Sequence, residues 1–241
     1  MLVFQSRRPG GAGGSDLWFS KLENGRWAEA VNAGAAINTA ADEFDGKLSP
    51  DGRTLVFIRN VEPRKTTAVY IAEFRNGAWS AAKAPEPVSI AGAIQYGAVL
   101  APDGKRLYFS SNRSGGHGGF DHYYSDRTPD GWSQPVNLGQ PVNSSADEVD
   151  LALLPGGGIV FPLRRADSML NSVDLYISRP TAGAWSSPVN LGPRINTPGT
   201  DTCPWVSSDG RSLYLDSDWN GLVAGQKGER AVWVLHHSEG F

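Results

Sequence analysis

At 241 residues the chain can form one large domain or two small ones, and 22 Lys and Arg against 25 Asp and Glu leave a net charge of −3. That balance lacks the basic excess of a general binder of nucleic acid or anionic membrane. A single cysteine, Cys203, excludes an internal disulfide, and no apolar run approaches the roughly 18 residues of a membrane span.

The N-terminus, MLVFQSRRPGG, lacks the charged-then-apolar layout of a signal peptide, so either the protein is cytosolic or a leader lies outside this sequence. The chain then alternates short apolar runs with clusters of Gly, Pro, Asn and Asp, and no long segment carries a 3.6-residue period. LVFQS (2–6) leads through a glycine-rich loop, RRPGGAGGS (7–15), into DLWFS (16–20). LVFIR (55–59), the loop NVEPRKTTA (60–68) and AVYIA (68–72) follow. Next come LYFSS (107–111), NRSGGHGGF (112–120) and DHYYS (121–125), then IVFPL (159–163) and DLYIS (174–178). LYLDS (213–217), the long loop DWNGLVAGQKGER (218–230) and AVWVL (231–235) complete the series. Each reads as a short strand or the turn that joins two.

These elements repeat. Trp27, Trp79, Trp132 and Trp185 are 52, 53 and 53 residues apart, and so are the turns SPDG (49–52), APDG (101–104), LPGG (154–157) and SSDG (207–210). Five units of roughly 53 residues, each about four short antiparallel strands, are the signature of an all-β fold, a β-propeller. One domain over 1–241 is expected, with units at about 1–48, 49–100, 101–153, 154–206 and 207–241. The strand before each turn is the inner strand, and the tryptophan opens the outer one. The first unit lacks an inner strand and the last lacks a tryptophan strand. Either two blades have three strands, or the chain is trimmed and a missing leader carried another; trimming is the favoured expectation.

The PDG turn, LYFSSNRSGGHGGFDHYYS and GWSQPVNLGQPVNSSADE together resemble the WD-like repeat of TolB-type β-propellers of the bacterial envelope. The resemblance spans the chain and is clearest over 101–153. It implies a periplasmic or secreted, non-catalytic module that binds or scaffolds a protein partner as a monomer, and it supplies no catalytic residue.

The glycine loops precede strands, whereas a phosphate loop precedes a helix N-terminus. Positive φ in a compact turn is the expected reason for the glycines. Asp16, Asp121 and Asp174 open the following strands, either capping turn N–H groups or holding Ca²⁺. His117 aligns with Ala12 and is read as an exposed loop residue available to a partner.

Six residues before each turn stand Glu43, Gln95, Glu148 and Asp201, and four before stand Asp45, Gly97, Asp150 and Cys203. In a propeller, inner-strand residues line the central channel. Glu43, Glu148 and Asp201, with Gln95, Asp45 and Asp150, are therefore a candidate cation site at the channel mouth, for which Ca²⁺ fits the oxygen ligands. Equally, each carboxylate could cap backbone N–H groups of its own crossover. A third use, as paired acids of a glycan hydrolase, requires carboxyls roughly 5–9.5 Å apart. Cys203 is expected to be a small buried apolar residue. No Ser-His-Asp set and no zinc spacing is present. Trp219 and Leu222, in the longest loop, are candidate partner anchors on the loop rim.

Overall fold

A computed structural model describes residues 1–62, 66–164, 172–219 and 231–236. The described residues form strands and turns with no helix, and so no helix that is long and apolar enough to cross a membrane. The strands assemble into five antiparallel sheets, the blades of a β-propeller.

Blade 1 joins β1 (Leu2–Ser6), β2 (Asp16–Ser20) and β5 (Val31–Asn32), with β3 (Leu22–Glu23) and β4 (Arg26–Trp27) as a separate small hairpin. Asn24 and Gly25 close that hairpin at φ 52° and 76°, the two left-handed residues of a tight turn that follows strand twist. Blade 2 runs β6 (Glu43–Leu48), β7 (Thr54–Glu62), β8 (Thr66–Arg75) and β9 (Ala78–Trp79). Blade 3 runs β10 (Gln95–Leu100), β11 (Arg106–Ser111), β12 (Asp121–Thr128) and β13 (Gly131–Trp132), and β14 (Val136–Asn137) also pairs with β12. Blade 4 runs β15 (Ala152–Leu153), β16 (Ile159–Leu163), β17 (Asp174–Ser178) and β18 (Val189–Asn190). Blade 5 runs β19 (Asp201–Val206), β20 (Ser212–Ser217) and β21 (Ala231–His236). Among the described residues the first and last blades are three-stranded. Blades 2 to 5 each draw their inner strand from the end of the preceding sequence unit, as β6 pairs with β7 across the SPDG turn.

The chain divides into two compact units, Met1–Arg113 with Tyr123–Val136, and Ser114–His122 with Asn137–Phe241. Two apolar clusters build the first. Leu17, Ile37, Leu55 and Phe57 fill the space between blades 1 and 2, and Val56, Ile58, Val69, Leu107 and Phe109 fill that between blades 2 and 3. In the second, Leu154, Val160, Leu175, Leu213 and Leu215 join blades 4 and 5. Consecutive residues of β7, such as Val56 and Phe57, are both fully buried and belong to different clusters, because a blade is covered on both faces. Burying one such side chain contributes about 1.5–3 kcal/mol.

Candidate functional site: the recurring carboxylates and their loops

Glu43, Glu148 and Asp201 are each 0% exposed. All three are held by a hydroxyl residue four positions upstream. Thr39 donates its N–H to Glu43 Oε2 (3.0 Å) and its hydroxyl to Oε1 (2.6 Å). Ser144 stands in the same relation to Glu148 (3.0 and 2.5 Å), and Thr197 to Asp201 (2.6 and 2.8 Å). Each carboxyl thus ties down the turn that delivers the chain into its own inner strand. Gln95 is also fully buried, but residue 91 is alanine, so no hydroxyl stands upstream. Its Oε1 accepts from Val69 N at 3.4 Å, and its Nε2 finds no partner among the described residues.

The three acids differ in what faces them. Arg59 donates to Glu43 Oε1 at 2.7 Å and to the Ile37 carbonyl at 2.6 Å, and its guanidinium lies 4.1 Å from the centre of the Tyr70 ring. Among the described residues no cation pairs with Glu148. Burial raises its pKa to about 7, Asp121 and Asp147 push the same way, and the Ser144 bonds pull against them. Burial likewise raises Asp201, opposed by its bonds to Thr197 and Ser217.

Two residues further on, Asp45, Gly97, Asp150 and Cys203 share one conformation, with φ of 50°, 58°, 54° and 51°. Register shifts fall there in β6, β10 and β19, so the inner strand carries a bulge at this point. In β19 the bulged residue itself faces outward. Cys203 is exposed, not the small buried apolar residue expected on an inner strand, and its Sγ lies 3.5 Å from Asp150 Oδ2. Asp45 binds differently, with its N–H donated to Gln5 Oε1 (3.2 Å) and Lys47 Nζ 3.4 Å from its carboxylate. Among the described residues no group of three or more His, Cys, Asp or Glu side chains is placed to hold a metal ion.

Close approach accounts for the glycine loops more than positive φ does. Only Gly10 and Gly115 in the two loops have positive φ, 92° and 90°. A Cβ on Gly118 would stand 2.0 Å from the Ala146 carbonyl oxygen, and one on Gly13 would stand 2.5 Å from the Ala40 Cα. Gly14 and Gly119 meet Asp42 and Asp147 in the same way. Those two aspartates accept from Ser15 N (2.7 Å) and Phe120 N (3.0 Å), which fastens each loop to the segment that carries the buried acid.

Turn capping by Asp16 and Asp121 is seen directly. Asp16 accepts from Ala12 N (2.6 Å) and Asp121 from His117 N (2.9 Å), while Asp174 accepts from the Ser172 hydroxyl (3.1 Å). His117 itself is exposed on its loop. His122 is fully buried edge-on to Phe161, ring centres 5.2 Å apart. Trp219 is half-buried, with its backbone against Gly199, and Leu222 lies outside the described residues.

A second set of residues, Asn38, Asn143 and Asn196, was not singled out by sequence. Each amide pairs with one backbone residue like an added strand: Asn38 with Leu17 (2.9 and 2.9 Å), Asn143 with His122 (2.9 and 2.9 Å) and Asn196 with Leu175 (2.8 and 3.1 Å). The signal was the recurring pattern of two asparagines six residues apart, as in VNAGAAIN, VNLGQPVN and VNLGPRIN.

Comparison of the sequence with protein-family models and with curated proteins gives no match. Solved structures do match. An α-L-arabinofuranosidase from Lactobacillus brevis superposes with a TM-score of 0.57 at 14% identity, over 99% of this chain and 91% of that one. The catalytic domain of a GH62 α-L-arabinofuranosidase from Coprinopsis cinerea gives 0.51 at 11%, over 98% and 86%. A puromycin-hydrolyzing peptidase of Mycobacterium tuberculosis gives 0.51 at 13%, and there the chain covers 98% of itself but spans only 42% of the peptidase. At these identities the likeness carries the fold alone: an all-β, five-bladed β-propeller. The TolB-type resemblance is carried by the repeated residues and by nothing in these comparisons.

Proposed function

We propose that this chain is a non-catalytic binding or scaffold propeller, of the bacterial cell envelope by the resemblance of its repeats. The observation that supports this most is the fate of the recurring acids. Glu43, Glu148 and Asp201 are sealed from solvent and committed to the N–H and hydroxyl groups of their own turns. A glycosidase needs one carboxyl to reach the leaving group and another to reach the anomeric carbon or a water. These three serve as internal fasteners, and recognition then falls to exposed loop and blade surfaces, His117 among them.

The second reading is a glycan-acting hydrolase, supported by the near full-length likeness to two arabinofuranosidases. It would need acids other than these three. The deciding experiment is an assay against aryl glycosides, an aryl α-L-arabinofuranoside included, and against aminoacyl arylamides. The binding reading expects no turnover above buffer. Turnover that follows the folded chain through purification, and that Glu148→Gln leaves intact, would overturn it in favour of the hydrolase.

A further inference from the structure

The outer edges of blades 2 and 3 enclose a groove of ≈ 430 Å³, wholly within the first compact unit. Its origin lies in a substitution between repeats. Trp79, the outer tryptophan of blade 2, stacks on Phe19 of blade 1, ring centres 5.6 Å apart and 13° from parallel. One repeat later Trp132 takes the place of Trp79, and Ile71 that of Phe19. An isoleucine cannot cover a tryptophan face as a phenyl ring does, and both Trp132 and Ile71 are left lining an open groove.

Charge is concentrated at this groove. Arg75, Lys83 and Arg127 line it, with Glu73 as the one carboxylate among the lining residues. Glu73 contacts Arg75 and, at 3.2 Å, Arg127, whose guanidinium lies 5.6 Å from the centre of the Trp132 ring. Three cations against one anion make a locally basic cleft on a chain whose net charge is −3. A ring face beside guanidinium forks suits a flat, weakly polar body that carries a carboxylate. Glu73 narrows the class further. It accepts hydrogen bonds from hydroxyl groups, which a sugar acid carries beside its carboxylate and an Asp or Glu side chain does not, and the Ser80 hydroxyl, which accepts from the Glu73 N–H at 3.0 Å, keeps a second lone pair for such a group. A sugar acid offers all of this at once: C–H groups for the tryptophan, a carboxylate for the cations and hydroxyls for Glu73.

We propose that this groove is a binding site for an acidic saccharide, a glycan bearing uronate residues. The site rests on the binding reading above, since it retains the glycan without cleaving it.

Calorimetric titration of the whole chain with trigalacturonate tests it, alongside the methyl-esterified trimer, tricarballylate and an Asp/Glu-rich peptide. Saturable binding to trigalacturonate is expected, weakened about tenfold or more on esterification, a loss of at least ~1.4 kcal/mol, and weakened again by added salt. Lys83→Glu and Arg127→Gln should each reduce it. Ile71→Phe, which rebuilds the Phe19–Trp79 stack in the groove and leaves every charge in place, should abolish it with the melting temperature kept. No binding, equal binding of ester or peptide, or binding indifferent to all three variants would overturn the proposal. Product analysis of the same mixtures separates the two readings. Cleavage of the trimer removes the non-catalytic reading, whereas neither binding nor cleavage removes only the groove.

Discussion

Glu43 and Glu148 occupy the same place in two copies of one repeat, with Gln95 in the copy between them, and they solve the same problem differently. Both are fully buried, and both grip the N–H and hydroxyl of a residue four positions back. Glu43 has Arg59 against it at 2.7 Å. In blade 4 the corresponding residue is Leu163, two after Phe161 as Arg59 is two after Phe57. One copy compensates its charge with a cation, and in the other burial raises the pKa to about 7, so that the proton is held at acidic pH and shed as the pH rises through neutrality. What the two copies share is the pair of hydrogen bonds to the turn, and what they do not share is a partner for the charge.

Removing the cation should cost most. Arg59→Leu turns the blade 2 arrangement into that of blade 4 in a site shaped for an ion pair, and leaves Glu43 buried and uncompensated. A loss of about 3–5 kcal/mol is expected in urea unfolding at neutral pH. The double variant Arg59→Leu/Glu43→Gln should recover a large part of that loss, because an amide can keep the turn bonds without a charge to bury.

Next in size is Glu148→Gln. A buried acid with pKa about 7, against an ordinary 4.5, favours folding fully below 4.5 and loses that contribution as pH rises through 7. The difference corresponds to about 3 kcal/mol. Glutamine copies the protonated acid, donating to the Ser144 hydroxyl and accepting from its N–H. The variant should therefore be the more stable protein at pH 8, by up to about 3 kcal/mol, and nearly equal to the parent at pH 4.5. Denaturant midpoints across that range check the sign. A variant less stable at every pH would mean that the ionised form is the one the turn needs.

The smallest effects separate the two hydroxyls. Thr39→Ala removes a bond to a paired carboxylate and should cost about 1.5–3 kcal/mol, whereas Ser144→Ala at pH 5 removes a bond between neutral groups and should cost about 1 kcal/mol. Equal losses would show that the two carboxyls carry the same charge after all.

The propeller was legible because its evidence is periodic: four turns and four tryptophans at steps of 52 and 53 locate the blades without any propensity argument. The three-stranded first and last sheets follow from the same count. The fate of the acids was only half legible. Their alignment was plain, and the hydroxyl four residues upstream in Thr39, Ser144 and Thr197 was equally visible, but burial depends on packing from neighbouring strands. Cys203 was expected to be buried as a small apolar residue of an inner strand, and it is exposed because it is itself the left-handed residue at the bulge of β19. The glycines of the loops at 7–15 and 112–120 are explained by backbone that lies roughly thirty residues away in sequence, as Gly118 and Ala146 show. The asparagine pairs escaped notice because an amide that replaces a strand has no strand-like pattern of its own.

The exposed bulge at Cys203 also makes the molecule easy to observe. It carries the chain's one thiol, on a backbone position whose conformation recurs at Asp45, Gly97 and Asp150. A maleimide dye or nitroxide would therefore attach at a single known point, with no engineered cysteine and no background to subtract. Because the thiol lies beside Asp150, the mobility of such a label would report how tightly the inner strands of blades 4 and 5 hold together, a readout independent of the eight tryptophans that share the intrinsic fluorescence.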